Sequence, residues 1–507
     1  MRTKKAFINT VASLALEAVA IICSFILPRL ILRSFGSEYN GITASISQFL
    51  SCVALLKAGV GGVTRASLYK PLAENNVEQI SSIIRATEIF MRKVAMIFAG
   101  IVLIVAVSYP FVTIKDGFSW HSIFLLVLIL SVGTFAQYYF GITYQTLLGA
   151  DQRQYVISAL HIVTTILNTA IAVILVNAGC SIHIVKLGSA LVFAANPLFM
   201  HFYVKKRYKL NPKATPNNQA IKQRWDALAH QVALFIHQNT DLVIITFFAG
   251  VKEVSVYTVY SLVSNGVRKF IQPFSSGIEA AFGNMMAKNE DERLKKNFNA
   301  LECLVFSLST VSFVIAALLI VSFVTLYTHG VTDADYARPM FAYILLLAEF
   351  FFCVRTPYQY IAHAAGHFKQ TRNASIIEAV MNVVLSLILV NFLGIVGVAI
   401  GTLCAMVFRT TQYAIYASRA VVKRSTMLFL KRVFISVVNA AAIVLIANEL
   451  PLLSPDSYLL WVVNAFMIGI MAVVVTLLFT VVFYRDELKT LIQIIQTILK
   501  KKKAKTV

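Results

Sequence analysis

Lys57 stands inside LSCVALLKAGVGGVTR (Leu50–Arg65), an apolar run that would otherwise read as the heart of a membrane-spanning helix. A cation at the centre of a bilayer costs about 3 kcal/mol on insertion scales, so its presence calls for a use. Arg268 and Lys269 stand in the same position within another apolar run. Arg29 and Arg33 are spaced i and i+4, which puts them on one helix face, and Arg65 closes the run that holds Lys57. Together these cations could hold an anion: arginine offers planar bidentate donors and lysine a compact charge. Acidic and imidazole groups occur at similar depth. Glu17 lies in the first apolar run, and His230, His237 and Asp241 share one face of another. Such groups can carry a proton or hold Na⁺, or serve only as counter-charges to the cations. Arg33 and Arg65, near the ends of their runs, can also simply reach the interface on their long stems.

The elements that position these residues follow from composition. Of 507 residues, 58% are hydrophobic and 13% charged, and the mean hydropathy is +0.75. A soluble chain carries roughly 25% charged residues. Apolar runs of about 20 residues, enough to cross a ~30 Å hydrocarbon core, recur throughout. The fold class is therefore all-α and polytopic, with about 14 transmembrane helices; no series of short alternating segments suggests a barrel. The spans fall near 7–33, 42–66, 94–114, 121–147, 155–177, 183–204, 227–249, 255–283, 299–327, 340–363, 374–392, 395–418, 433–450 and 458–484.

The net charge of +22 does not indicate nucleic acid, because most basic residues lie between or beside the apolar runs. With both termini cytoplasmic, roughly 34 of the 45 Lys and Arg fall on cytoplasmic segments, as the positive-inside rule requires. MRTKK leads into a run of full spanning length without a small-residue cleavage site, so no cleavable signal peptide is expected. The six cysteines are scattered without C-x-x-C spacing and read as packing residues. KAGVGG is followed by no G-K-[ST], so it is not a phosphate loop; close helix packing would account for Gly59, Gly61 and Gly62. No metal cluster, catalytic pattern or cofactor site is evident, and the chain is not expected to be an enzyme.

The chain repeats itself. TYQTLLGA at Thr143 pairs with PYQYIAHA at Pro357, and the same offset pairs Asn168 with Asn382 and ILVN at Ile174 with ILVN at Ile388. The copies lie six spans apart, so they are parallel repeats, an arrangement that in transporters places a site at the repeat interface. The offset carries Lys57 to position 271, beside Arg268 and Lys269. The expected organisation is a lobe at 1–204, a basic linker at 205–226, a second lobe at 227–420, two further spans within 421–486 and a basic amphipathic tail at 487–507. That tail is suited to anionic lipid.

PRLILRSFGSEYNGITASISQFLS at Pro28 and LLKAGVGGVTRASLYKPLAENN at Leu55, within this two-lobe plan, resemble the multidrug/oligosaccharidyl-lipid/polysaccharide (MOP) exporter superfamily, and in it the Wzx-type flippases. The resemblance implies a bacterial cytoplasmic-membrane protein that moves undecaprenyl-pyrophosphate-linked oligosaccharide between leaflets. It implies lobes that rock by alternating access, with spans 1, 2, 7 and 8 lining the cavity. The expected partners are that lipid-linked oligosaccharide, membrane lipids, H⁺ or Na⁺ as coupling ion, and polysaccharide polymerase machinery. The lipid II flippases of the superfamily carry a sodium site on spans 7, 11 and 12, which Asp241, Glu378 and Asn382 match loosely. Glu349, Arg355 and Arg409 read as structural ion pairs. Lipid II flippase and MATE-like exporter remain alternatives. A polysaccharide polymerase or ligase ranks lower, because no large outer loop is available for its catalytic residues.

Overall fold

The computed structural model describes residues 2–51, 54–113, 118–217, 219, 239–276, 282–283, 285–286, 288–451 and 457–503. Among them the regular structure is entirely helical, and eleven helices are long and apolar enough to cross a membrane. The shortfall from fourteen has a simple origin. Ala54–Ala73 carries Lys57, Arg65 and Lys70, and Val251–Ile271 carries Lys252, Glu253, Arg268 and Lys269, so neither reaches the hydropathy of a plain span. Most of the expected seventh span lies outside the described residues, leaving Asn239–Phe248.

The chain forms two compact units. The first comprises Met1–Thr258 together with Gly330–Ala334, and the second Val259–His329 with Asp335–Val507. The first unit holds α1 (Arg2–Ser51), α2 (Ala54–Ala73), α3 (Val77–Thr113), α4 (Trp120–Ala136), α5 (Ile142–Ala150), α6 (Gln154–Asn177), α7 (Ile182–Tyr208) and α8 (Asn239–Phe248). A π-helical turn at Gln137–Gly141 joins α4 to α5. α9 (Val251–Ile271) begins in this unit and ends in the second. The second unit continues with α10 (Asp291–Tyr327), α11 (Pro339–Ala364), α12 (Phe368–Leu393), α13 (Ile395–Tyr416), α14 (Met427–Asn448), α15 (Tyr458–Phe483) and α16 (Arg485–Lys503).

The first two expected spans, 7–33 and 42–66, are not separated by a loop. Gly36 alone breaks α1, at φ 85° and ψ 175°. Only glycine takes this conformation without strain. A Cβ there would also come within 2.8 Å of Asp333 Oδ2. The same carboxylate accepts from the Ser37 amide (2.7 Å) and hydroxyl (2.6 Å), so it caps the helix that restarts after the break.

That restarted segment, Ser37–Ser51, packs on α8 and the start of α9 almost backbone to backbone. A Cβ on Gly41 would collide with the Val251 carbonyl. Small and polar side chains fill the seam: Asn40 donates to Ser255 (2.8 Å), Ser45 bonds Thr246 (2.8 Å), and Gln48 donates to Asn239. In lipid such contacts replace the hydrophobic effect as the force between helices. The close-packing account does not extend to Gly61, where a Cβ would meet nothing within 4 Å.

Each unit has its own interior. Ile42, Ile46, Met91, Phe98, Leu126 and Tyr138 form one buried cluster of the first unit, and Leu68, Ile83, Leu147, Met200 and Val204 another. In the second unit Ile443, Ala472 and Val475 pack α14 on α15, with Val311 and Leu318 of α10 against them. The outward faces are as apolar as the interior. Phe392, Leu459 and Val482 are 78%, 73% and 70% exposed. Such surfaces fit a lipid solvent, which asks only that backbone groups be paired within helices.

Candidate functional site

The expected site residues divide between the two units. In the first, Lys57 lies on α2, but its side chain is outside the described residues, as are His230 and His237. Arg29 is partly buried on α1, while Glu17 and Arg33 are exposed on the same helix. Arg65 is also exposed, yet its guanidinium lies along α5: a Cβ on Gly149 would stand 3.1 Å from Nη2. Asp241, on α8, receives the Tyr257 hydroxyl from α9 at 3.4 Å.

The second unit assembles a chain of charges. Arg268, near the end of α9, stands 3.4 Å from Glu349 of α11. Its guanidinium lies 5.2 Å from the centre of the Phe352 ring, and Arg355 stands 4.7 Å from the same ring. Arg355 then binds Glu378 of α12 at 2.6 Å, and Arg409 of α13 binds the other Glu378 oxygen at 3.2 Å. The pairing expected among Glu349, Arg355 and Arg409 is thus distributed differently. Glu349 serves Arg268, and the two further arginines share Glu378.

This arrangement defines what Glu378 can do. Both of its oxygens face guanidinium groups and its side chain is 7% exposed, so binding a cation there would require displacing an arginine from a buried pair. Asn382, one turn further along α12, donates to Thr402 (2.9 Å), while its buried Oδ1 has no hydrogen-bond partner. Arg268 differs from its neighbours in being the more open cation: its side chain is 29% exposed, against 7% for Arg355 and 3% for Arg409. Lys269 beside it is exposed. Glu349 and Glu378 do not cancel the positive charge that Arg268, Lys269, Arg355 and Arg409 bring.

Two features were not expected from the sequence. The first is a closed ion-pair knot near the start of α10. Glu302 is fully buried; it accepts from Arg424 (2.6 Å to each oxygen) and from the Tyr358 hydroxyl, and it forms an ion pair with Arg432 at 2.8 Å. Arg432 reaches on to Glu487 of α16 at 3.0 Å and lies over the Tyr484 ring. These contacts tie α14 and α16 to α10 and α11. Both arginines lie more than a hundred residues from Glu302 in sequence, so no local pattern announces them.

The second is a cavity of about 470 Å³ inside the first unit, bounded by α1, α4, the π turn, α6 and α7. Lys186 of α7 lines it, with Gln137, Tyr138, His161, Asn168 and Asn196. Lys186 is the one charged residue among the lining residues. His161 of α6 lies 3.4 Å from Gln145 through Nε2 and also lines this space. Among the described residues, no group of three or more His, Cys, Asp or Glu side chains could hold a metal ion.

No protein-family model and no curated protein sequence matches the chain. Solved structures do. A lipid II flippase MurJ in an inward closed conformation is similar with a TM-score of 0.67 at 16% identity, covering 95% of this chain and 99% of that one. An inward-facing multidrug resistance MATE family transporter of the MOP superfamily is similar with a TM-score of 0.61 at 14% identity, over 79% of this chain and 95% of that one. A MOP superfamily transporter from Pyrococcus furiosus, described as having a binding pocket of reverse polarity, gives 0.53 at 13% identity, over 83% and 95%. Two of these three structures are described as members of the MOP superfamily, and this chain shares its all-helical polytopic fold with all three.

Proposed function

We propose that this chain is a flippase that carries undecaprenyl-pyrophosphate-linked oligosaccharide across the bacterial cytoplasmic membrane by alternating access, coupled to H⁺ or Na⁺. The observation that carries the reading is Arg268: a partly open cation in the last turn of α9, in a cluster whose carboxylates leave positive charge over. A pyrophosphate entering the membrane needs such charge, because desolvating an anion is costly unless cations meet it. By the internal repeat Lys57 corresponds to the position beside Arg268 and Lys269 and would act with them, and Arg29, Arg33 and Arg65 would extend a basic track. The lobes would be 1–204 and 227–420, joined by the linker at 205–226. A cation exporter of the MATE kind would call for the opposite polarity.

The coupling ion would be carried by Glu17, Asp241 or His237, or by Asn382 with Glu378. Of the last two, Asn382 offers the open oxygen. A lipid II cargo is the second reading, supported by the coverage of 95% and 99% in the comparison with the lipid II flippase. It presents the same pyrophosphate. In cells, Lys57→Ala and Arg268→Ala should each abolish export of surface polysaccharide with the protein present in the membrane at normal amounts. Normal export in both variants would remove these cations from the mechanism. Rescue of lipid II flipping in a depleted strain, without any polysaccharide defect on deletion, would choose the second reading.

A further inference from the structure

The cavity of the first unit asks for a ligand of its own. Its volume of about 470 Å³ lies within the range of small-molecule sites, roughly 300–1,000 Å³. Lys186 stands at its edge, and among the described residues this ammonium makes no ion pair or hydrogen bond. Among the described residues no carboxylate lines the space. A lysine in a spanning helix without an acid beside it is costly unless something anionic or aqueous meets it.

The amides around it ask for something else. Asn168 Oδ1 and Asn196 Oδ1 are buried acceptors without a partner, although Asn196 donates its own amide to Thr164 at 3.2 Å. An unmatched buried acceptor costs about 1–3 kcal/mol. A halide or sulfate cannot satisfy it, since such an ion only accepts, and hydrogen phosphate brings at most two hydroxyls, on the same phosphorus that must meet Lys186. The matching ligand carries a negative charge for Lys186 and hydroxyl donors for the two asparagines. Gln137 and Tyr138 add donors from the π turn, a distortion that frequently marks functional positions.

We infer that this cavity binds an acidic sugar, with the carboxylate on Lys186 and the ring hydroxyls on Asn168 and Asn196. As a part of the cargo, such a sugar would belong to the glycan of a lipid-linked oligosaccharide; that link rests on the proposed flippase reading, whereas the binding itself does not. The site then selects glycans that carry a uronic acid or an equivalent anionic unit.

The test uses the full-length protein purified in detergent, with D-glucuronate, D-glucose and inorganic phosphate as probes in saturation-transfer NMR and thermal-shift titrations. Glucuronate should bind at least about tenfold more tightly than glucose, and phosphate should not displace it at equal concentration. Lys186→Gln should bring glucuronate down to the level of glucose, Lys186→Arg should keep the preference, and Asn168→Leu should weaken both sugars. If Lys186→Gln does not yield folded protein, Lys186→Arg against Asn168→Leu still decides. Equal binding of glucose and glucuronate overturns the proposal, and so does displacement by phosphate, absence of binding, or an unchanged preference in Lys186→Gln. Failure here leaves the pyrophosphate reading to the Arg268→Ala export test, so the two can fail separately.

Discussion

Two groups of buried charge in the second unit are built from the same residue types and differ in closure. Glu302 is enclosed: two arginines and a tyrosine hydroxyl meet its carboxylate, and none of it is exposed. Around Arg268 the cluster is open, because Glu349 stands 3.4 Å away, the arginine side chain keeps 29% of its surface, and Lys269 adds a further charge. Under the proposed function, the difference separates charge that fastens helices from charge that would meet the cargo. A closed ion pair gives little net stability, yet removing one partner strands the other; an open one loses little stability when cut.

The comparison breaks most visibly at Glu302. Glu302→Gln should cost about 3–5 kcal/mol, read as a large fall in melting temperature and yield, because Arg424 and Arg432 then stay buried without their carboxylate. An unchanged melt would mean the knot is not a fastening. Arg268→Ala should do the reverse: export down by tenfold or more, equivalent to about 1.4 kcal/mol of transition-state stabilisation or above, with the melt nearly unmoved. If the melt falls as far as in Glu302→Gln, the two clusters are of one kind.

Smaller effects sharpen the contrast from the first unit. Asp333→Ala removes the cap from the Ser37 helix start and should cost about 1 kcal/mol in thermal or denaturant unfolding. A neutral result would show that solvent replaces the carboxylate there. Asp241→Asn and Glu17→Gln should leave the melt within about 0.5 kcal/mol and flatten the dependence of transport on a pH or Na⁺ gradient. Unchanged gradient dependence in both would remove these acids from coupling.

Much of the helix layout was legible because spans announce themselves by composition. The expected 155–177 and 458–484 became Gln154–Asn177 and Tyr458–Phe483. The turn after the first span was not legible, since one glycine and a carboxylate from a distant loop make it. The charges could be found in the sequence, but not their partners. Glu378 looks like an ion ligand until Arg355 and Arg409 are seen on its two oxygens. Lys186 was missed for a related reason. It lies about one turn inside α7, where a single cation reads as one that stretches to the interface, and only the cavity shows what it faces.

The cap on Ser37 also has a consequence in time. The two residues it joins are separated by 296 positions. At 5–20 residues per second, the ribosome needs roughly 15–60 s to add Asp333 after Ser37 has been made. Throughout that interval the Ser37 helix start is without its native acceptor. All of α1 to α8 can be made and inserted before the last piece of their own unit arrives. Fragments ending before Gly330 would therefore contain every helix of that unit and still fold with an unfinished end, a point at which membrane quality control could tell a nascent chain from a finished one.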